Sequence, residues 1–286
     1  MNIKAKIVKS MTATALTAAV LLTGWQTATD VQAASNAVPS YEVKFLLDAG
    51  KVLNADGSLQ SSVTSEFHIT SPADQQLVEY FDTHAQDLNG SGWNVRFRKK
   101  EDKKKYELTY KKRFTVTNGD INAALTAANQ AGFDSSDDNY EAEVDWGYSK
   151  QTLSFSNDKE ESASKGLTIP SESKVLNMLV DNIPGKLKNT NGSGWGKDML
   201  KSSRAHGPVI VSKYEGEFNG LETNIEVMPI RTEDGTGMEN LIEISFKTDS
   251  YDEAALNRTK LMNTLEAQGW LVHADSLKTN LILNRY

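Results

Sequence analysis

Alternation of apolar and charged residues is the strongest periodic signal in this chain. In "WNVRFRKK" (93–100), Val95 and Phe97 fall on one side and Arg96 and Arg98 on the other, the two-residue period of a strand. "KKYELTYKKRF" (104–114) repeats the pattern, with Leu108 and Tyr110 opposed to Glu107 and Lys111, and the charged "EDKK" between the two predicts a hairpin. The same period marks "YEVKFLL" (41–47), "NYEAEVDWGY" (139–148), "QTLSFS" (151–156), "GPVIVSKYEGEF" (207–218), "ETNIEVMPI" (222–230) and "ENLIEISFK" (239–247). "NG" and "TEDGTG" supply turns between the last three. "SEFHIT" (65–70) reads as a short strand and "NLILNRY" (280–286) as a closing one.

Helical spacing appears four times. "SPADQQLVEYFDTHAQDL" (71–88) carries Leu77, Tyr80, Phe81 and His84 at helical intervals behind an N-cap Ser71 and Pro72. "NGDINAALTAANQAGF" (118–133) starts near Asn118 or Asp120 and has Gly132 just past its end. "PSESKVLNMLVDNIPGKLKN" (170–189) is interrupted or ended at Pro184, and the helix over 250–269 turns Ala254, Leu261 and Leu265 inward. "GKVLNADGSLQSS" (50–62) reads as a loop and "NDKEESASKG" (157–166) as a solvated linker. "NGSGW" occurs at 89–93 and 191–195 without matching flanks, a weak hint of duplication. Nine or ten strands with four helices predict an antiparallel α+β fold.

The charged faces then need a place. On an open sheet they would meet water and mean nothing. Four amphipathic helices, however, need apolar sheet to cover, and a sheet of this many strands tends to curl or close. With helices outside, Arg96, Arg98, Glu107, Lys111, Glu141, Glu143, Asp145, Lys213, Glu215, Glu243 and Lys247 point inward and line a polar tunnel. Such a lining calls for a guest: a multiply charged anion for the cations, and a hard divalent cation for the carboxylates. A polyphosphate with Mg²⁺ or Mn²⁺ meets both demands.

Composition narrows the setting. Lys4, Lys6 and Lys9 precede the apolar "MTATALTAAVLLTG" and the small residues of "VQAAS", the three parts of a cleaved secretory leader over 1–33. That run is too short to span a bilayer, which takes about 20 residues. Its removal, with Asp30, takes the net charge from −7 to −9 and leaves one domain over 34–286. An exported chain with this acidity is not expected to coat nucleic acid. Cysteine is absent, which excludes disulfides, thiolate metal sites and a cysteine nucleophile. The basic turn "RKKEDKKK" (98–105) reads as a solvated hairpin tip that could separately attract anionic polymer. The scattered histidines, and the run Asp134, Ser136, Asp138 without the glycine of a calcium loop, suggest no further site.

Taken in order, "YEVKFLL", "VRFR", "YELTYK", "YEAEV", "KYEGEF", "LIEIS" and "KTNLILNRY" resemble the CYTH domain family, the triphosphate tunnel metalloenzymes, over roughly 41–286. The resemblance implies an antiparallel closed barrel of about eight strands with helices packed outside. It implies phosphate-binding roles for Lys44, Arg96, Arg98, Lys111 and Lys213. It implies metal-ligand roles for Glu42 and Glu243, and water-orienting roles for Glu141 and Glu143, with Glu226 at a further acidic position. Two departures stand out: Ser40 and Ser245 occupy places where the family carries a carboxylate. A hydroxyl brings no charge to a cation, so metal affinity falls. Three readings therefore stay open. The first is a secreted Mg²⁺- or Mn²⁺-dependent hydrolase of inorganic or organic triphosphate. The second is an extracellular module that binds polyphosphate or another polyanion without cleaving it, and the third a structural protein whose charges are merely solvated. Adenylyl cyclase activity is disfavoured for a chain exported away from ATP.

Overall fold

The computed structural model describes residues 34–275 and 278–286; the expected leader lies outside the described residues. In chain order β1 (Ser40–Leu47) is followed by α1 (Ala49–Val52), α2 (Ser61–Glu66), β2 (Asp74–Asp82) and α3 (Asp87–Gly90). The hairpin β3 (Trp93–Lys100) and β4 (Lys105–Thr115) leads to α4 (Ile121–Gln130), then β5 (Glu141–Trp146) and β6 (Gln151–Ser162). Three helices come next, α5 (Glu172–Asp181), α6 (Gly185–Lys188) and α7 (Trp195–Lys201). The meander β7 (Arg204–Phe218), β8 (Leu221–Arg231), β9 (Met238–Thr248) precedes α8 (Tyr251–Ala267), a two-residue β10 (Leu271–Val272) and α9 (Lys278–Arg285).

The strands run in the order β1-β5-β6-β4-β3-β2-β7-β8-β9, and β9 returns to pair with β1 from Tyr41↔Thr248 to Leu47↔Ile242. The sheet is therefore a closed barrel, mostly antiparallel, with helices outside, in an α+β chain. It has nine strands rather than about eight, and β10 only extends β1 at Leu46 and Leu47. One neighbour pair, β1–β5, is parallel. A ring with an odd number of strands cannot alternate direction all the way round, so one parallel pair is unavoidable.

Five expectations from periodicity do not hold. Residues 74–82 form β2, not part of a helix, and 280–285 belong to α9, not to a strand. Residues 61–66 are helical up to the Phe67 C-cap, so "SEFHIT" is not a strand. The stretch 50–62 contains most of α1, which is capped by the Asp48 carboxylate accepting from Gly50 N–H. β6 continues through "NDKEES" because β4 pairs with it as far as Lys105↔Ser162. The two copies of "NGSGW" lead into different elements, the first into β3 and the second into α7.

Two apolar clusters lie outside the barrel and one inside. Trp93, Val95, Phe97, Leu108, Tyr110, Val144, Leu153 and Phe155 face α3 to α7. Val43, Phe45, Ile225, Val227, Ile242, Ile244 and Phe246 face α1, α2 and α8. The third cluster joins Val78, Tyr80, Val209, Val211, Met228 and Ile230 to Ile282 and Leu283 of α9. Val211, Met228 and Leu241 lie two residues from Lys213, Glu226 and Glu243, so strand period places them on the inner face. Helix α9 thus fills the β2–β7–β8 side of one end of the barrel. The interior is ionic over part of its length and apolar beneath this helix.

Candidate functional site

Strand period carries one face of β1, β3, β4, β5, β8 and β9 into a cavity of about 350 Å³. All nine residues singled out from the sequence line it: Lys44, Arg96, Arg98, Lys111, Lys213, Glu42, Glu243, Glu141 and Glu143. The sequence reading did not name Lys278, Arg113 and Tyr80 as lining residues, nor Asp145 and Lys247 as site residues, yet all five are there. Asp145 and Lys247 continue the alternations of Glu141-x-Glu143 and Glu243-x-Ser245, and that signal could have found them. Tyr80 sits in the stretch expected to be a helix, and Lys278 two residues before the stretch expected to be a closing strand.

In total nine cationic side chains face seven carboxylates in the lining. Glu107 and Glu215, expected to point inward, are not part of it, but they pair with Arg98, Lys100 and Lys213 and so balance the count. Seven of the nine cations reach a carboxylate, whereas Arg96 and Arg113 reach only threonine hydroxyls among the described residues. Arg96 Nη2 donates to Thr109 Oγ1 at 3.0 Å and Arg113 Nη2 to Thr279 Oγ1 at 3.3 Å. The Arg96 Nε, the Asn94 Oδ1 and the Glu243 Oε2 are buried without a partner. Buried polar atoms are rarely left so, and orphans that line one cavity point to a guest that would satisfy them.

The carboxylates fall into two groups. Glu42, Glu143 and Asp145 bring one oxygen each within 4.8 Å of one another. Lys44 bonds Asp145 and lies 3.5 Å from Glu42, Lys111 lies 3.3 Å from Glu143, and Lys247 bonds Glu143 at 2.5 Å and approaches Glu42 at 4.0 Å. Burial alone would raise the Asp145 carboxyl, but the Lys44 and Lys111 ammoniums hold it far below the usual range. Glu42 moves the other way, raised by burial and by the nearby Glu143 carboxylate, with Lys44 opposing. Glu243 stands apart from this group, beside Glu226. Lys278 bridges the two at 3.0 and 2.7 Å. Burial would raise Glu226, yet Lys278, Arg96 and Arg98 bring it down to about 2. The Tyr80 phenol sits among Arg96, Lys278 and Arg113, which lower its pKa against the effect of burial.

Three hard carboxylate oxygens so close together suit a small divalent cation, and the unpartnered Glu243 oxygen in the same cavity offers a further ligand atom. A second recess of about 210 Å³ shares Lys44, Arg113, Asp145, Glu243, Lys278 and Thr279 and runs out to Gly147, Lys150 and Asp275. At the hairpin tip the buried Lys99 donates to the carbonyls of Lys100 and Lys103, so part of the basic run stabilises its own turn. No helix among the described residues is long and apolar enough to cross a membrane.

No protein-family model and no curated protein matches the sequence. Solved structures with related folds include a putative adenylyl cyclase from Hippeastrum, described as having a dominant triphosphatase activity. It is 17% identical, covers 84% of this chain and 93% of its own, and has a TM-score of 0.45. A putative adenylate cyclase from Bacillus halodurans is 13% identical over 87% of this chain and 98% of its own, with a TM-score of 0.47. A Pyrococcus horikoshii protein is 14% identical over 85% and 97%, with a TM-score of 0.41.

Proposed function

We propose that this protein is a phosphohydrolase that binds a triphosphate in the charged chamber and cleaves it with the help of Mg²⁺ or Mn²⁺. The observation that carries this reading is the pair of guanidiniums, Arg96 and Arg113, that have no carboxylate partner among the described residues, in a cavity that also gathers three carboxylates. A divalent cation held by Glu42, Glu143 and Asp145 would neutralise charge on the phosphate oxygens. Arg96 and Arg113, with the orphaned Nε of Arg96 as a further donor, grip the anion through charge-assisted hydrogen bonds. Arg98, Lys111 and Lys213 line the remaining cationic wall. Glu141 and Asp158 line the chamber without a cation partner among the described residues, and Glu141, two residues from Glu143 of the triad on β5, is the one taken to orient an attacking water. Phosphoryl transfer asks for little beyond such positioning and charge neutralisation.

A second reading has specific support. Ser40 lines the chamber with a hydroxyl that donates only to the Ala142 carbonyl, and Ser245 also brings no charge. The acidic triad is already neutralised by lysines. Both features suit an anion-binding module without turnover. Orthophosphate release from triphosphate, with and without Mg²⁺ or Mn²⁺, separates the two. Hydrolysis that requires the metal and is lost in Asp145→Asn, while metal-free binding persists, supports the enzyme. Tight binding without release under every condition leaves the binding module. Export by the leader over 1–33 is part of the same proposal, and a mature chain that begins near Ala34 in the culture medium is its expected result.

A further inference from the structure

The acidic triad is electrically balanced before any metal arrives. Glu42, Glu143 and Asp145 face Lys44, Lys111 and Lys247, one ammonium for each carboxylate. The three lysines are not equivalent. The side chains of Lys44 and Lys111 are 19% and 20% exposed, whereas that of Lys247 is 60% exposed. Lys247 sits on β9 directly across from Glu42 of β1, and its Nζ bonds one oxygen of Glu143 and approaches one of Glu42. It therefore lies between two of the three carboxylates that a metal would need. Glu243, 5% exposed with one oxygen unpartnered, shows that the cavity still offers a ligand atom that no internal cation has taken.

We propose that Lys247 is an exchangeable counter-ion of the metal site, resting on Glu42 and Glu143 when the site holds no metal and swinging out to the anion when a divalent cation enters. This rests on the function proposed above. The physical reason is charge. A divalent ion beside an ammonium about 4 Å away is repelled strongly, and both cannot share the same two carboxylate oxygens. A long lysine side chain that is already mostly in solvent can leave at small cost, while Lys44 and Lys111 cannot. Metal and anion thereby become coupled. The metal displaces Lys247, and the displaced ammonium adds a donor for the phosphate oxygens, so each ligand favours the other by the same factor.

The test is a pair of affinities in wild-type protein and in Lys247→Gln. One is for Mn²⁺ alone, read from the free-ion paramagnetic resonance signal; the other is for triphosphate alone in excess EDTA, read by calorimetry. The expected result is a shift in opposite directions. Mn²⁺ binds about tenfold or more tighter to the variant, because the competing ammonium is gone. Metal-free triphosphate binds more weakly, because Glu42 and Glu143 now face it uncompensated. Lys247→Arg keeps the charge and restores the wild-type order. A general loss of structure would weaken both ligands together, which overturns the proposal, as does an unchanged Mn²⁺ affinity with the metal site otherwise intact. No Mn²⁺ binding to any of the three proteins removes the metal from the function proposed above and this role of Lys247 with it.

Discussion

Replacing Arg96 by glutamine tests the anion reading most directly, because affinity and stability should move apart. The guanidinium donates to the Thr109 hydroxyl, leaves a buried Nε unpartnered and has no carboxylate partner among the described residues. In the ligand-free protein its attraction to Glu226 is offset by its repulsion of Arg98. Burial and then the Arg96 charge itself depress the pKa of Arg98. Removing one such charge should leave stability unchanged or raise it by about 1 kcal/mol, a gain of a few degrees at most in melting temperature. Binding should suffer. A bidentate grip on a phosphate is worth about 3 kcal/mol, so the Kd for triphosphate should rise about a hundredfold. Lys278→Ala provides the contrast. It strips the shared partner from Glu226 and Glu243, and breaking an ion pair buried to this degree costs about 3 kcal/mol. Calorimetric titration with triphosphate in EDTA, alongside thermal unfolding of the same samples without ligand, reads both quantities. An Arg96→Gln protein that binds triphosphate within threefold of wild type, or melts as low as Lys278→Ala, would refute the reasoning.

Two further outcomes follow from the barrel walls. Glu79, on the outer face of β2 and 6% exposed, has its pKa raised to about 7, first by burial and then by Glu172. Between about 4.5 and 7 the folded state holds a proton that the unfolded chain has lost, so this group's contribution declines as pH rises through that window. Glu79→Gln should accordingly match wild type at pH 4.5, exceed it by on the order of 3 kcal/mol at pH 8, and flatten the denaturant midpoint between those values. Ile282→Ala, at a position 1% exposed in the α9 cluster, should cost about 2–4 kcal/mol; an unchanged midpoint would mean that α9 is not docked inside the barrel.

Where a strand has one helix-covered face and one ionic face, its sequence announced it. β3, β4, β5 and β9 alternate cleanly for this reason, and their charged positions marked most of the chamber. β2 did not, and the cause lies in α9. Val78 and Tyr80 face the interior but meet Ile282 and Leu283 there, while Phe81 packs outside, so both faces of β2 are apolar at this end. Alternation disappears when both faces are buried. Leu77, Tyr80 and Phe81 then fit helical spacing as well as a strand. The converse error fell on the partner: three consecutive apolar residues, Leu281 to Leu283, look like a strand when the cavity they plug is unknown. The chamber positions of Tyr80, inside the first segment, and of Lys278, just before the second, were hidden for the same reason. The pairing of carboxylates was equally out of reach, since only register shows that Glu42 sits with Glu143 and Asp145 and that Glu243 sits with Lys278.

The junction between β1 and β9 also sets the order in which the molecule can be made. Residues 41–47 must find residues 242–248, about two hundred positions away, whereas the β3–β4 hairpin and the β7–β8–β9 meander pair with near neighbours. Contacts this distant carry a large loop-closure cost and slow the approach to the native state. A nascent chain can assemble its hairpins early, yet Glu42 and Lys247 come face to face only after β9 has emerged. Until that moment the pairs that Lys247 makes with Glu42 and Glu143 do not exist, and the charged face of β1 has no β9 beside it.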